Sequence, residues 1–373
     1  MGKPVLYHTG RFPPDRLDWS ALIPLLGPTA AAIARYDGTL AAVPNAAVLL
    51  SPLTTQEAVL SSRIEGTQAT FGEVLEFEAQ GAASEVSSER REDIHEVLNY
   101  RRALREAERL LGTLPLSLRV ITSAHAVLMD GVRGHGKAPG KLRRVPNWIG
   151  PPGSTVEDAR FIPVGADQLP DAMSAWEKYA NADAPDRLVQ LAILHAEFEA
   201  LHPFLDGNGR LGRMLVPLFL WQTQLIHAPM FYISAFFEAH REEYYDHLLS
   251  VSRDNDWTGW CVFFLGAVRA QAELNHKKAV EILRLYEESK PKLQTLTRSQ
   301  YAVQTLDWLF ERPTFKSSDF VKSAGIPAAT AKRILGVLTK QQVVKPLEQG
   351  RGRKASILAF PALLNIAEGY HVF

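Results

Sequence analysis

The 373-residue chain lacks several features that would place it in a special class. It has one cysteine, Cys261, which excludes an intrachain disulfide and fits a reducing compartment. No stretch approaches about 18 uninterrupted apolar residues, so we expect no membrane span. The N-terminus, MGKPVLYHTGRFPP, has no apolar segment typical of secretory signals. These absences together predict a cytoplasmic protein.

An excess of charge of one sign is also missing. The 41 Lys and Arg residues balance the 41 Asp and Glu residues, so no global attraction to nucleic acid or membrane is expected. The sequence has no internal repeat and no low-complexity tract. Its hydrophobic content of 46% and charged content of 22% are typical of globular proteins, and its length allows two or three compact units.

Helical periodicity dominates the chain. Thr54 and Glu57 have the spacing of a capping box and Gly66 is a suitable stop, which together predict a helix near 55–65. Further helices are predicted at 71–79, 89–111, 116–130, 167–180, 186–201, 210–224, 238–252 and 257–286, the last before a break at KPK, residues 290–292. The Gly- and Pro-rich segment 131–163 contains β-like pieces at 145–149 and 160–164, which indicate a hairpin on a helical body.

The segment HPFLDGNGRLGR, residues 202–213, concentrates the chemistry. Its GNG tripeptide lies where a helix is predicted to begin, so free N–H groups and the positive end of the helix dipole favour an anion there. Arg210 and Arg213 emerge on nearly the same face and need an anion between them, such as a polyphosphate. Asp206 is suited to the Mg²⁺ that accompanies a nucleotide, and His202 to proton transfer at neutral pH.

Two better-known motifs do not account for this segment. A P-loop requires Lys-Ser/Thr after its glycines, and that pair is missing. The two histidines of HAEFEALH, His195 and His202, are seven residues apart, which is not the spacing of a zinc helix. We interpret His195 as a packed helix residue.

The 202–213 segment resembles the HPFx[D/N]GNGRxxR signature of the Fic (Fido) family, enzymes that transfer AMP from ATP to hydroxyl side chains. The resemblance implies a mainly α fold. It would comprise a helical Fic core with a β-hairpin flap, an N-terminal helical region and a C-terminal winged helix-turn-helix. The implied regions are 1–112, 113–288 and 293–373. The family resemblance also implies ATP and Mg²⁺ as cofactors, protein hydroxyls, including the chain's own, as targets, and a homodimer as one assembly.

The resemblance assigns a role to each residue of the segment. His202 would be the general base that deprotonates a Ser, Thr or Tyr hydroxyl, and Asp206 would bind Mg²⁺. Arg210 would steady the diphosphate and Arg213 the γ-phosphate. Phe204 would anchor the loop in the core. The backbone of Gly207, Asn208 and Gly209 would cradle the α- and β-phosphates, with help from the Asn208 side chain.

Three other stretches carry the resemblance beyond the loop. KLRRVPNWIGPP, residues 141–152, is similar to the family's target-binding flap, with Asn147, Trp148, Ile149 and Gly150 at its centre. EYYDHLL, residues 243–249, is similar to the nucleotide-pocket helix, in which Tyr244 and Tyr245 would flank the adenine. Because adjacent helical residues diverge by about 100°, one of these tyrosines is expected in the core.

SSRIEGT, residues 61–67, is similar to the family's inhibitory helix motif, in which Ser61, Glu65 and Gly66 are the matching residues. The resemblance implies that Glu65 pairs with Arg213 and so keeps this arginine from the γ-phosphate. The enzyme would then be autoinhibited.

The C-terminal region has a different charge. Residues 314–373 hold nine Lys and Arg against three Asp and Glu, a local excess of six positive charges. Helices predicted at 299–311, 317–324 and 328–340, followed by two β-like runs around a Gly/Arg tip, resemble a winged helix-turn-helix. The side chains placed to meet phosphates are Lys332, Arg333, Arg351, Arg353 and Lys354. Protein docking or dimerisation is favoured over DNA binding, because clusters of base-reading Asn or Gln are missing from the wing.

Two alternatives to AMP transfer stay open. The same anion cradle would serve removal of AMP, or transfer of another phosphate-containing group. A DNA-binding regulator that senses nucleotides is the second alternative. The presence of His202 and Asp206 favours catalysis, and Gly209 favours nucleotidyl over γ-phosphoryl transfer, since related Doc kinases have a Lys at this position of the loop.

Overall fold

The structure is a computed structural model of the chain, and it describes residues 3–42, 45–81, 86–131, 136–151, 153, 155–348 and 355–369. It is mainly helical, as the sequence predicts. The first half of the chain contains β1 (Val5–Leu6), α1 (Trp19–Ala41), α2 (Ala46–Leu49), α3 (Ser51–Ile64), α4 (Phe71–Gln80), α5 (Ser88–Leu111), α6 (Leu118–Leu128), β2 (Phe161–Ile162) and α7 (Leu169–Ala180). The second half contains α8 (Arg187–Leu201), α9 (Asn208–Gln222), α10 (Ser234–Ala239), α11 (Arg241–Asp254), α12 (Trp257–Thr297), α13 (Ala302–Glu311), β3 (Thr314–Lys316), α14 (Ser317–Ser323), α15 (Ala328–Lys340), β4 (Lys345–Glu348), β5 (Ile357–Ala359) and α16 (Pro361–Glu368).

The chain divides into two compact units. Unit 1 comprises Met1–Asp37, Leu60–Thr67 and Leu98–Glu273, and unit 2 comprises Gly38–Val59, Gln68–Val97 and Leu274–Phe373. Both units are assembled from discontinuous stretches, whereas the sequence predicts three consecutive regions.

Helix α8 is the centre of unit 1. Asp186 caps its start by accepting hydrogen bonds from the backbone N–H groups of Leu188 (2.8 Å) and Val189 (3.0 Å). Every residue from Leu188 to Leu201 is buried, so the helix is packed on all sides. The indole N–H groups of Trp176 and Trp260 donate to backbone oxygens of this helix, which satisfies both rings inside the core. A helix fixed in this way gives the following loop a rigid start.

A small sheet in unit 1 supports the predicted flap. Strand β1 pairs in parallel with β2, with Val5 opposite Phe161 and Leu6 opposite Ile162. On its other side Phe161 forms an antiparallel bridge with Ile149. The predicted hairpin is thus reduced to one bridge, and its third strand comes from the N-terminus, a long-range pairing that local sequence patterns do not reveal.

The capping box predicted for helix α3 is wrong. The helix begins at Ser51, so that Thr54 and Glu57 lie inside it. The capping box lies instead at the start of α4, where Thr70 N donates to Glu73 Oε2 (2.8 Å) and Glu73 N donates to Thr70 Oγ1 (3.3 Å).

The break predicted at residues 290–292 is also wrong. Helix α12 continues through Pro291 to Thr297. A proline inside a helix costs about 3 kcal/mol. The buried residues Ile282, Ser289, Leu293 and Thr297 continue a helical spacing across the proline. We conclude that burial of this face outweighs the local cost.

Unit 2 ends in a three-stranded antiparallel sheet with the order β3-β5-β4, together with α13, α14 and α15. The predicted winged helix-turn-helix has this order of elements and stays a prediction. Arg333 Nη1 donates to Thr297 O (2.8 Å), so this predicted phosphate contact already has a role within the unit. Lys332 is exposed, whereas the wing-tip residues Arg351, Arg353 and Lys354 lie outside the described residues.

The single cysteine and the lack of long apolar runs in the sequence each have a counterpart in the structure. Cys261 is fully buried, and burial raises the pKa of its thiol to about 12. Within the described part of the chain, no helix has both the length and the apolar character needed to cross a bilayer.

The capping box of α4 predicts a stability effect. Thr70→Ala removes the acceptor for Glu73 N and should lower the free energy of unfolding by about 1 kcal/mol. Thr70→Ser keeps the hydroxyl and should cost less. Urea denaturation of both variants beside the unchanged protein tests this, and equal stability of all three would contradict it.

Candidate functional site

The loop between α8 and α9 is closed by its own side chains. Asn208 Oδ1 accepts a hydrogen bond from Phe204 N (2.8 Å), and Asn208 Nδ2 donates to Phe204 O (2.9 Å). Phe204 is fully buried and anchors the loop in the core. The Asn208 amide is therefore occupied within the loop, which leaves its backbone N–H for an outside ligand.

The start of α9 has the form of an anion site. In any helix the first backbone N–H groups lack intrahelical acceptors and carry the positive end of the dipole. Gly207 precedes the helix with φ of 79°, and a Cβ there would lie 3.0 Å from Met129 Sδ. A Cβ on Gly209 would collide with Glu65 Oε1 and lie 3.0 Å from Arg213 Nη1. Glycine at position 207 therefore allows the loop to pack closely on Met129, and glycine at position 209 leaves room for the Glu65 carboxylate beside Arg213.

Arg213 is fully buried and is held by α3. Its Nη2 donates to Glu65 Oε1 (2.7 Å) and to Ser61 O (2.8 Å), and its Nε donates to Ser61 Oγ (3.0 Å). Burial alone lowers the pKa of Arg213, but the Glu65 carboxylate more than reverses this effect and raises it. The pair predicted between Glu65 and Arg213 is present.

A cavity of about 460 Å³ opens beside this pair. Its size is within the range of small-molecule sites, roughly 300–1,000 Å³. The predicted residues that line it are Glu65, Ile149, Gly150, His202, Gly209, Arg213 and Tyr245. Thus the flap, the histidine, the helix start and the buried arginine converge on one space.

His202 ends α8 in the left-handed conformation, with φ of 45° and ψ of 61°. Burial lowers the pKa of its imidazole to about 4, so the ring is neutral at pH 7. Its Nδ1 is buried and has no hydrogen-bond partner among the described residues. A neutral imidazole at a cavity wall is suited to accept a proton.

Asp206 lies at the outer side of the loop, with its side chain about one-third exposed. Its Oδ1 accepts from Gly207 N (2.7 Å), and its Oδ2 accepts from Lys137 Nζ (3.1 Å). Arg210 Nη2 lies 3.6 Å from Asp206 Oδ1. In the described part of the chain no cluster of three or more His, Cys, Asp or Glu side chains could hold a metal alone.

The two tyrosines of α11 have different positions. Tyr245 lines the cavity, whereas Tyr244 is buried and its hydroxyl lies 2.8 Å from His195 Nε2. His195 Nδ1 lies 3.1 Å from Gly212 O, so His195 is packed as the sequence predicts. Tyr244 is thus the core residue of the pair, and its assignment to nucleotide binding is corrected.

The remaining predicted residues lie around the cavity rather than in its wall. Gly66 follows α3 with φ of 101°, and its N–H donates to Arg63 O. Trp148 is 42% exposed on the flap. Asn147 Nδ2 donates to Phe204 O (3.2 Å), which connects the flap to the loop.

Sequence reasoning missed two buried titratable groups at this site. His125 stacks on Phe204 with ring centroids 3.7 Å apart. Its Nδ1 accepts from Gly140 N (2.8 Å), so Nε2 carries the hydrogen that is donated to Asp206 O (3.0 Å). Glu199 lines the cavity with Oε1 buried and without a hydrogen-bond partner among the described residues, and burial raises its pKa to about 8. Neither residue has a spacing that sets it apart in the sequence.

Comparisons with known proteins agree with this geometry. Residues 23–109 match the Fic/DOC family N-terminal region, and residues 115–220 match the Fic/DOC family. A Fic family protein from Desulfovibrio desulfuricans G20 is 20% identical with a TM-score of 0.59, covering 93% of this chain and 98% of that chain. A Fic domain containing signaling protein from Bacteroides thetaiotaomicron VPI-5482 is 16% identical with a TM-score of 0.55, covering 69% and 97%. Fic-1 from C. elegans is 17% identical with a TM-score of 0.54, covering 72% and 75%. At such identities the structural likeness shows the fold alone.

The buried histidines predict a pH dependence of stability. Burial lowers the pKa values of His125, His195 and His202 from 6.5 to about 4, 3 and 4. Between about pH 4 and 6.5 the unfolded chain therefore binds more protons, and the free energy of unfolding should fall as the pH falls through this window. Glu199 acts in the opposite direction, because its pKa is raised in the folded protein. It is a single group, so it offsets the effect of only one of the three histidines.

Urea denaturation at several pH values between 7.5 and 5 measures this slope. His125→Gln removes one titrating group and should make the slope shallower by up to about 1.4 kcal/mol per pH unit. An unchanged slope in this variant would show that His125 does not stay neutral in the folded protein.

Proposed function

This chain belongs to the Fic/DOC family, and we propose that it transfers AMP from ATP to hydroxyl groups of proteins, including its own. Members of this family transfer nucleotides or other phosphate-containing groups onto proteins. The observation that carries the proposal is one cavity wall that combines a neutral His202, the start of α9 and the guanidinium of Arg213. A base, a phosphate cradle and a fixed cation are the components that nucleotidyl transfer requires.

The cradle supports ATP as the donor. The backbone N–H groups of Asn208 and Gly209 would receive the α- and β-phosphates at the positive end of the α9 dipole, and that of Gly207 would join them only if it leaves Asp206 Oδ1. Arg210 would steady the diphosphate, and Arg213 would meet the γ-phosphate once Glu65 leaves it. Tyr245, which faces the cavity, would contact the adenine.

Asp206 fits the needs of Mg²⁺. This ion is commonly held by one or two carboxylates together with substrate phosphates, rather than by a cage of protein ligands. Asp206 is a single carboxylate at the edge of the cradle and partly open to solvent, which agrees with such a site. Bound there, Mg²⁺ would neutralise phosphate charge. The hydrogen bond from His125 to the backbone carbonyl of Asp206 would fix the main chain of the residue that carries this carboxylate.

His202 would begin the reaction by accepting the proton of the target hydroxyl. The freed oxygen would attack the α-phosphorus, a new P–O bond would form to AMP, and the bond to pyrophosphate would break. General base catalysis of this kind contributes roughly 10²–10⁴ in rate. The larger share would come from placing the hydroxyl in line with the phosphorus and from stabilising phosphate charge.

The pair between Glu65 and Arg213 supports autoinhibition. Arg213 is buried, so its charge needs a partner at all times, and Glu65, the residue that follows α3, supplies one at 2.7 Å. Ser61 adds two hydrogen bonds from the same helix. While these contacts persist, Arg213 is engaged and the γ-phosphate has no cation at this end of the cradle. ATP would then bind in a pose unsuited to in-line attack.

The identity of the transferred group is testable with labelled ATP. With Mg²⁺ present, α-labelled ATP should label the protein and γ-labelled ATP should not. Mass spectrometry should find an added AMP. His202→Ala should abolish labelling while ATP binding stays measurable, since the cradle is intact. Label from γ-labelled ATP alone would identify a kinase and overturn the proposal, and hydrolysis of a pre-formed adduct without net transfer would favour AMP removal.

The proposed autoinhibition by Glu65 is testable by substitution. Glu65→Gly should raise self-modification by about tenfold or more, equivalent to about 1.4 kcal/mol in the barrier. Adding Arg213→Ala to this variant should remove most of the gain, because the released arginine is what assists the γ-phosphate. The readout is the initial rate of AMP incorporation at saturating ATP and Mg²⁺.

Two neighbouring serines provide a matched control. Ser61→Ala removes a hydrogen bond to Arg213 and should raise the rate partly. The Ser62 hydroxyl has no hydrogen-bond partner among the described residues, so Ser62→Ala should leave the rate unchanged. If Glu65→Gly transfers AMP no faster than the unchanged protein, the helix has no inhibitory role.

A further inference from the structure

Arg143 is a buried cation next to the catalytic loop, and it has no role in the function described so far. Only 3% of its surface is exposed. Its Nε donates to His202 O (2.9 Å), and its Nη2 donates to Leu201 O (3.2 Å). Its own backbone N–H donates to Pro203 O (3.0 Å). Arg143 therefore donates hydrogen bonds to the backbone carbonyls of three consecutive residues, 201–203, and the middle one is the proposed base.

The same guanidinium contacts the flap and a second stretch of chain. Nη1 donates to Val145 O (3.4 Å), inside the flap segment 141–152. Nη2 also donates to Val164 O, just beyond strand β2. One side chain therefore joins the flap, the chain that follows β2 and the carbonyl of His202.

The chemistry of this site requires an arginine. Among the described residues no carboxylate is paired with Arg143, and burial lowers its pKa. Its charge is balanced by carbonyl oxygens, two of them at the C-terminus of α8, where the helix dipole is negative. A planar fork with five N–H donors can reach carbonyls in several directions, whereas the compact ammonium of lysine cannot.

The left-handed backbone conformation of His202 depends on hydrogen bonds that fix its carbonyl group. A non-glycine residue in the left-handed region carries strain of about 1–3 kcal/mol and persists only where its surroundings fix it. Arg143 and Asn147 both direct donors to His202 O, at 2.9 Å and 3.5 Å. Both donors come from the segment that forms the flap.

We propose that Arg143 is a positioning residue that fixes the flap relative to the imidazole of His202, so that a hydroxyl group bound at the flap meets the base. This inference rests on the proposed AMP transfer. The flap lines the cavity through Ile149 and Gly150, and His202 lines it from the opposite segment. Because a displacement of about 1 Å can cost roughly 10² in rate, a loose connection between these two segments would impair transfer without disturbing the phosphate cradle.

The test compares two arginines in the full chain carrying Glu65→Gly. Arg143→Lys keeps the charge and loses the planar guanidinium, and Arg119→Lys makes the same change at an exposed position of α6, outside the flap and the cavity lining. Arg143→Lys should lower kcat for AMP incorporation by about tenfold or more while the Kd for ATP stays unchanged. Arg119→Lys should change neither quantity.

A second readout does not depend on activity. In protein labelled with ¹³C-histidine, the His202 resonance is identified as the one missing from His202→Ala. Arg143→Lys should shift or broaden this resonance, and Arg119→Lys should leave it in place. If the Glu65→Gly protein forms no AMP adduct at all, the proposed function fails, and the resonance still decides whether Arg143 holds His202.

Several results would overturn the positioning role. An unchanged His202 resonance or an unchanged kcat in Arg143→Lys would do so, and so would a loss of ATP binding that parallels the loss of transfer. If Arg143→Lys does not fold, Asn147→Ala decides the question, because it removes the other flap donor to His202 O. That variant should lose transfer and keep ATP binding, and normal transfer would refute the proposal.

Discussion

The charge of Arg213 has no access to water, and this one constraint organises the site. A buried guanidinium must be paired and hydrogen-bonded, since an uncompensated charge in the core costs several kcal/mol. Ser61 in the last turn of α3 and Glu65, directly after this helix, meet this need. Gly209 permits it, because any side chain there would collide with the carboxylate. A triphosphate that takes the place of Glu65 would meet the same need, so the exchange of one anion for another leaves the core equally satisfied.

Around this arginine, the loop is held mainly through its backbone. Asn208 closes the loop on Phe204, His125 fixes the carbonyl of Asp206, and Arg143 fixes the carbonyl of His202. Of the three residues held in this way, His202 lines the cavity, Phe204 is buried and Asp206 lies at the outer side of the loop. Such an arrangement separates the side chains that shape the loop from those that line the cavity. His125 and Arg143 belong to the first group, and both are buried.

The sequence predicted the helical class, most helix positions and the composition of the 202–213 loop, because these depend on local periodicity and on a dense motif. It placed the capping box one helix too early, since Thr54 and Glu57 have the same spacing as Thr70 and Glu73. It ended α12 at residue 286, before the predicted break at 290–292, because the burial that carries the helix onward is a tertiary effect. The strand β1, and the buried positions of Glu199 and His125, depend on contacts between residues far apart in the chain. No spacing rule reports such contacts.

The burial of Cys261 has a practical consequence for spectroscopy. A thiol with a pKa near 12 and no exposed surface forms little thiolate at neutral pH and does not meet reagents in solution. The natural chain is therefore close to a cysteine-free background for labelling. A cysteine placed at the exposed position of Trp148 would be the single reactive thiol. A fluorophore or spin label attached there would report the surroundings of the flap without any other substitution.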